Sequence, residues 1–198
     1  MSTKIYYKKM STEELVVLAQ QDDFKALEEL IKREQKNIFV AFSYLSEKRE
    51  NVSDLTQEAL LRIARKIHTL KNPKIFKSWL NQIVTNLFYD ELRKSRRRPS
   101  TISFENEFRD DYMSVPKIQL PDKKCKPHEK CISQELEVVI KNAILALPDK
   151  FRIVIILREL QGLSYDEIAE ATATNIGTVK SRIARARNKL QEELKAYI

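Results

Sequence analysis

Thr178, Ser181, Arg182, Arg185 and Lys189 fall on one side of a helix that advances about 100° per residue, opposite a stripe of Ile176, Val179, Ile183, Ala186, Leu190 and Leu194. Arginine reads guanine bidentately, and lysine and serine hold phosphates, so this outer face suits a DNA groove. Gly177, in the first turn, leaves room for a phosphate to approach the exposed amides. Upstream, a helix over 75–97 buries Phe76, Trp79, Leu80, Ile83, Val84 and Leu87 and turns Lys74, Ser78, Asn81, Gln82, Thr85, Tyr89, Arg93 and Arg96 outward. Amides that read base edges, cations that track a backbone and one aromatic ring suit a strand whose bases have left the stack. On a third helix, Asp54, Gln57, Glu58, Leu61 and Arg65 lie opposite Leu55, Ala59, Ile63, Ile67 and Leu70, and an exposed leucine among acids and amides points to a protein partner.

Other chemistries find little support. Cys125, His128 and Cys131 have the two-residue spacings of a zinc site but no fourth ligand, so an incidental pair of thiols is expected and no metal is assigned. The two histidines, His68 and His128, are far apart, and glycine occurs only at 162 and 177, which rules out a glycine-rich phosphate loop. The carboxylates form no enzyme motif. The expectation is a binding protein, not an enzyme, with no cofactor.

Composition agrees with a polyanionic partner. The 198 residues carry 36 Lys and Arg against 28 Asp and Glu, a net charge of +8. The N-terminus lacks the apolar core of a signal peptide, no run approaches the roughly 20 apolar residues of a membrane span, and two cysteines are too few for a disulfide framework. A cytoplasmic protein with no membrane insertion is expected.

The elements that position these residues are all helical. Apolar residues recur at three and four, which predicts an all-α fold of two helical domains joined by a flexible linker. The proline-rich stretch 99–132 is the linker, between an N-terminal domain at 11–98 and a C-terminal domain at 133–198. Ser11 with Glu14 and Ser164 with Glu167 read as capping boxes, Ser53 as the cap of a helix to about Leu70, and 71–75 as a loop. The second domain reads as helices over about 134–147, 149–161, 164–172 and 176–196, with Asn175 capping the last. Its short capped helix, turn and longer cationic helix make a helix-turn-helix.

These segments are specific enough to compare with a family. Asp54, Leu55, Thr56, Gln57 and Glu58, then Phe76 to Leu80, Ile83, Asn86, Asp90 and Arg93, resemble region 2 of the extracytoplasmic-function sigma factors of bacterial RNA polymerase. Leu147 to Phe151, Ser164 to Ala169, Gly177 to Arg182, and Ala186 with Arg187 resemble region 4. The resemblance implies a factor that binds core RNA polymerase and directs promoter recognition, melting and transcription initiation. It implies that Asp54, Gln57 and Glu58, with Leu61 beside them, contact the clamp helices of the largest polymerase subunit. The −10 element then falls to Lys74, Lys77, Ser78, Asn81, Thr85, Asn86, Tyr89, Arg93 and Arg96, in a loop and helix that open the duplex and hold a flipped base. The −35 element falls to Thr178, Lys180, Ser181, Arg182, Arg185, Arg187 and Lys189. Gln82 departs from the arginine often found there and is left out of the contact set. Besides polymerase and promoter DNA, an anti-sigma factor is a candidate partner.

Overall fold

The computed structural model describes residues 7–46, 48–97, 127–195 and 197; the side chains of Arg49, Arg96, Arg97 and residues 127–134 lie outside the described set. Its elements are α1 (Thr12–Gln20), α2 (Phe24–Leu45), α3 (Arg49–Lys66), two 3-10 turns (Ile67–Thr69 and Pro73–Ile75), α4 (Phe76–Arg97), α5 (Pro127–Ala146), α6 (Asp149–Glu159), α7 (Tyr165–Ala171) and α8 (Ile176–Leu194). The all-α expectation holds.

Local chemistry sets most of the helix starts. Ser11 and Glu14 exchange both bonds of a capping box, with Glu14 N donating to Ser11 Oγ at 3.2 Å and Ser11 N to Glu14 Oε2 at 2.7 Å. Asp23 caps α2 by accepting from the amides of Lys25 and Ala26. Ser164 and Glu167 close the second box, and Asn175 Oδ1 accepts from Thr178 N at 2.7 Å to start α8.

Two starts differ from the sequence reading. Ser53 does not cap α3, which begins at Arg49 after Lys48 with no side-chain cap. Val52 is as buried as Leu55, so the apolar stripe reaches one turn further back and tertiary packing overrides the local cap signal. Helix α5 begins at Pro127, inside the stretch read as linker, where proline is tolerated in a first turn. The rest of the linker lies outside the described residues, as does Cys125, together with the side chains of His128, Cys131 and Arg96.

The turn between α7 and α8 holds Ala173 at φ 50°, a left-handed conformation that crowds a Cβ. Ala173→Gly should therefore raise the unfolding free energy by about 1 kcal/mol, glycine's larger unfolded-state entropy offsetting part of the relief. Urea denaturation followed by circular dichroism checks this.

Buried apolar residues from both halves of the chain form one contiguous cluster. Helix α6 lies at its centre. Phe151, Arg152, Ile153, Val154, Ile155, Ile156 and Leu157 are all buried, as expected of a helix covered on every side, and α6 packs against α2, α7 and α8. The second half also meets the first where α4 packs on α7 and α2 on α5.

Candidate polymerase and nucleic-acid surfaces

On α3 the predicted stripe is the observed one. Leu55, Ala59, Ile63, Ile67 and Leu70 are buried, while Asp54 and Gln57 are exposed and Leu61 keeps 49% of its surface. Glu58 is about 40% exposed and accepts from Arg62 Nε at 2.8 Å through Oε1. The four side chains therefore lie together on one accessible surface.

The loop before α4 is built by two amides. Gln20 Nε2 donates to the carbonyls of Ile67 at 2.9 Å and Leu70 at 2.6 Å, anchoring α1 to the first 3-10 turn, and Asn72 Oδ1 accepts from Lys74 N at 3.0 Å to start the second. Thus 71–75 is a capped 3-10 turn and its lead-in, not an open loop. Beside it lies a largely apolar groove of about 430 Å³, lined by Met10, Glu13, Glu14, Val17, Leu18, Asn72, Pro73 and Lys74.

Helix α4 departs from the sequence reading on one side. Lys74, Lys77, Gln82, Asn86 and Arg93 are exposed, but Asn81 and Thr85, expected to face outward, are 1% and 0% exposed. Asn81 Nδ2 donates to its own helix at Lys77 O, 2.9 Å away, and Thr85 Oγ1 has no partner among the described residues. Helix α7 packs on α4, as do α2 and α3. Ser78, on the same face, donates to Glu167 Oε1 of α7, and Tyr89 is half-buried beside Arg182 of α8. Burial pushes the Tyr89 phenol above its ordinary range, with the Arg182 charge pulling the other way. Trp79 packs partly buried against the core, as expected from its place on the apolar stripe.

On α8, Val179, Ile183 and Ala186 are buried. Lys180, Ser181, Arg185 and Lys189 are exposed, and Thr178 and Arg182 half-exposed. Arg187 is exposed but engaged: its Nη2 donates to Glu159 Oε1 at 2.6 Å and its Nε to the same oxygen at 3.2 Å, raising the guanidinium further above its ordinary range. The sequence placed it with the DNA contacts because nothing local identifies a partner 28 residues away.

Arg152 is the residue that sequence reasoning missed. It is 8% exposed, and its guanidinium donates to Leu45 O at 2.9 Å, Leu145 O at 2.5 Å and Leu147 O at 3.0 Å. It joins the C-terminal ends of α2 and α5, where helix dipoles favour a cation. Its one sequence signal is an arginine inside the apolar run Phe151 to Leu157.

Among the described residues, no group of three or more His, Cys, Asp or Glu side chains could hold a metal ion, and no helix is long and apolar enough to cross a membrane.

Comparison with known proteins matches both halves in order. The Sigma-70 region 2 family covers residues 30–98, and the Sigma-70, region 4 family covers residues 137–190. The ECF RNA polymerase sigma-E factor of Haemophilus influenzae is 32% identical over 186 residues, spanning 93% of this chain and 96% of that one. The sigma-E factor of Escherichia coli K12 is 31% identical over 185 residues, spanning 93% and 94%. Among solved structures, the sigma factor RpoE from Bartonella quintana, in complex with the anti-sigma factor NepR, superposes with a TM-score of 0.64 at 27% identity, covering 86% of this chain and 98% of that one. CnrH, in complex with the cytosolic domain of CnrY, shares the fold at a TM-score of 0.64 and 21% identity, covering 93% and 97%. With both regions matched in sequence and the same helical fold around them, the chain belongs to the ECF sigma factors of bacterial RNA polymerase, within the sigma-70 family.

Proposed function

We propose that this sigma factor works in the cytoplasm as a non-catalytic specificity subunit: polymerase makes the bonds, and this chain places it on the promoter. The accessible row Asp54, Gln57, Glu58 and Leu61 docks on the clamp of the largest subunit. The polar face of α4, at Lys74, Lys77, Ser78, Asn86, Tyr89 and Arg93, takes the separated −10 strand. The groove beside Asn72, Pro73 and Lys74 gives a flipped base a place next to that strand. Unstacking one base costs a few kcal/mol, which base contacts and a cationic track offset. The outer face of α8 reads the −35 duplex.

The observation that carries this reading is the row Lys180, Ser181, Arg185 and Lys189, exposed along a helix whose start is fixed by Asn175 and which buries Val179, Ile183 and Ala186 on its other side. The relatives that match are named RNA polymerase sigma factors, and one solved neighbour is held by an anti-sigma factor, so a protein of that class is a further partner. Run-off transcription with purified core polymerase over a promoter library tests the whole reading. Promoter-specific transcripts dependent on this chain are expected, and their absence would overturn it.

The polymerase surface has its own test. Asp54→Ala combined with Glu58→Ala should weaken core polymerase binding about tenfold or more, since charged pairs at interfaces act on affinity and association rate together. The fold should persist, because the lost Glu58–Arg62 pair is partly solvated and contributes about 1 kcal/mol at most. Fluorescence titration against core polymerase, with circular dichroism as the folding control, measures both; unchanged affinity would move the interface elsewhere.

A further inference from the structure

The first turn of α8 holds two residues that the packing of the chain does not account for. We propose that Ile176, with the side-chain-free Gly177 beside it, reads thymine in the −35 element through the C5-methyl group of the base. The inference rests on the reading that α8 enters the −35 duplex, and adds a base preference to it.

By its period Ile176 belongs to the buried stripe, two turns before Ile183, which is 2% exposed. Yet Ile176 keeps 40% of its surface and is the only large apolar side chain of α8 left exposed among the described residues. Its neighbours along the chain are polar or bare: Asn175, Gly177 and Lys180 are exposed, and Thr174 and Thr178 half-exposed. Gly177 is the second unexplained residue. Glycine is the poorest helix former after proline, so its place in a helical turn needs a cause. Backbone conformation supplies none, since the positive-φ glycine is Gly162 and not Gly177. Space inside the chain supplies none either, because an added Cβ would meet nothing closer than Asn175 Oδ1, at an ordinary 3.5 Å. The demand for a bare backbone therefore comes from outside the chain, from something that approaches this turn closely.

Duplex DNA meets both conditions. In a helix-turn-helix the N-terminal residues of the second helix are the ones that reach base edges. Those edges in the major groove are hydrogen-bond donors and acceptors apart from one group, the thymine methyl, so an exposed isoleucine entering the groove has a single favourable target. Gly177 lets the bases approach with no Cβ between, and Lys180 and Ser181, one turn on, hold the backbone in register. Asn175 Oδ1, accepting from Thr178 N, fixes the turn that presents Ile176.

The test pairs a protein variant with the removal of one methyl group from DNA. Holoenzyme with core polymerase selects its preferred −35 sequence from a library, and each thymidine of that sequence, on both strands, is replaced in turn by deoxyuridine. One replacement should weaken binding by the unmodified protein about fourfold, the worth of one buried methyl group. In Ile176→Ala the same replacement should cost less than about twofold, because the partner of the methyl is gone. Gly177→Ala should unfold at a higher temperature, alanine being the better helix former, and yet weaken −35 binding about fivefold or more through overpacking against the bases. A glycine needed only by the fold would give the reverse. The inference is overturned by a preferred sequence in which no thymidine shows the penalty, by a penalty of equal size in Ile176→Ala, or by unchanged binding in Gly177→Ala. Arg185→Ala reports separately on the parent reading: lost sequence preference in that variant with no methyl effect removes the role of Ile176 alone, whereas unchanged binding in Arg185→Ala as well takes α8 out of the groove.

Discussion

Arg152→Met should lower the unfolding free energy by about 3 kcal/mol, although methionine fits the apolar surroundings better than a guanidinium does. Two effects compete. Removing a buried cation recovers its desolvation cost, and among the described residues Nε of Arg152 has no partner to offset that cost. Replacing a buried ion pair by apolar residues is often neutral for this reason, but only when both partners are replaced. Here the hydrogen-bond acceptors are the backbone carbonyls of Leu45, Leu145 and Leu147, which no side-chain substitution can remove, and the partly solvated Asp149 carboxylate, 3.7 Å from Nη2, would lose its cation as well. The carbonyls end α2 and α5, where the last carbonyls have no helical donor of their own. Each acceptor left buried and unpaired costs about 1 to 3 kcal/mol, so three outweigh the recovered desolvation. Arg152→Lys should recover less than half of the loss, because one ammonium cannot span carbonyls from two helices as a planar fork does. Urea unfolding of both variants, fitted with a common slope, measures this. A loss under about 1 kcal/mol in Arg152→Met would mean that water or backbone shifts satisfy those carbonyls.

The features read correctly from sequence are those whose signal is local. Ser11 with Glu14, and Ser164 with Glu167, are partners three residues apart, and the structure contains both boxes. The α3 and α8 stripes repeat at the helix period; every predicted apolar position of α3 is buried, and on α8 Val179, Ile183 and Ala186 are buried, Leu190 and Leu194 partly so, while Ile176 at the first turn is 40% exposed. Periodicity, however, sorts residues by polarity and assumes that polar means outward. Asn81 and Thr85 break that assumption: both are buried, on a helix packed against three others, one of which, α7, lies more than 80 residues downstream, as the 89-residue separation of Ser78 and Glu167 shows. Arg152 is hidden for a related reason, since its partner at Leu45 is 107 residues away and no pattern in the apolar run identifies it. Ser53 shows the opposite error: a good cap residue outweighed by the burial of Val52 one position before it. Long-range packing determined each of these outcomes, and a single sequence carries no direct record of it.

Two arginines on α8 then separate base reading from structural pairing. Arg185 is exposed at the centre of the outer face, opposite the buried Val179 and Ile183, and among the described residues its side chain has no hydrogen bond or ion pair. Arg187, two positions on, donates from Nε and Nη2 to Glu159 of α6. If α8 lies in the major groove of the −35 element, Arg185→Ala should cost about 1 to 3 kcal/mol of binding and relax sequence preference at one or two adjacent positions. Arg187→Ala removes the same charge from the same helix. It should leave the sequence preference intact, because a phosphate contact from this residue would first have to break the Glu159 pair. Its effect on folding should be under about 1 kcal/mol, since both partners of the pair are about half exposed and solvent screens them. A Glu159→Ala variant frees Arg187, and should steepen the salt dependence of DNA binding by about 0.9 units if the released guanidinium then finds one phosphate. Binding of all three variants, as holoenzyme with core polymerase, across a −35 library at two salt concentrations decides the matter. Equal and sequence-independent losses from Arg185→Ala and Arg187→Ala would mean that α8 meets only the DNA backbone, and Arg185 would lose its base-reading role.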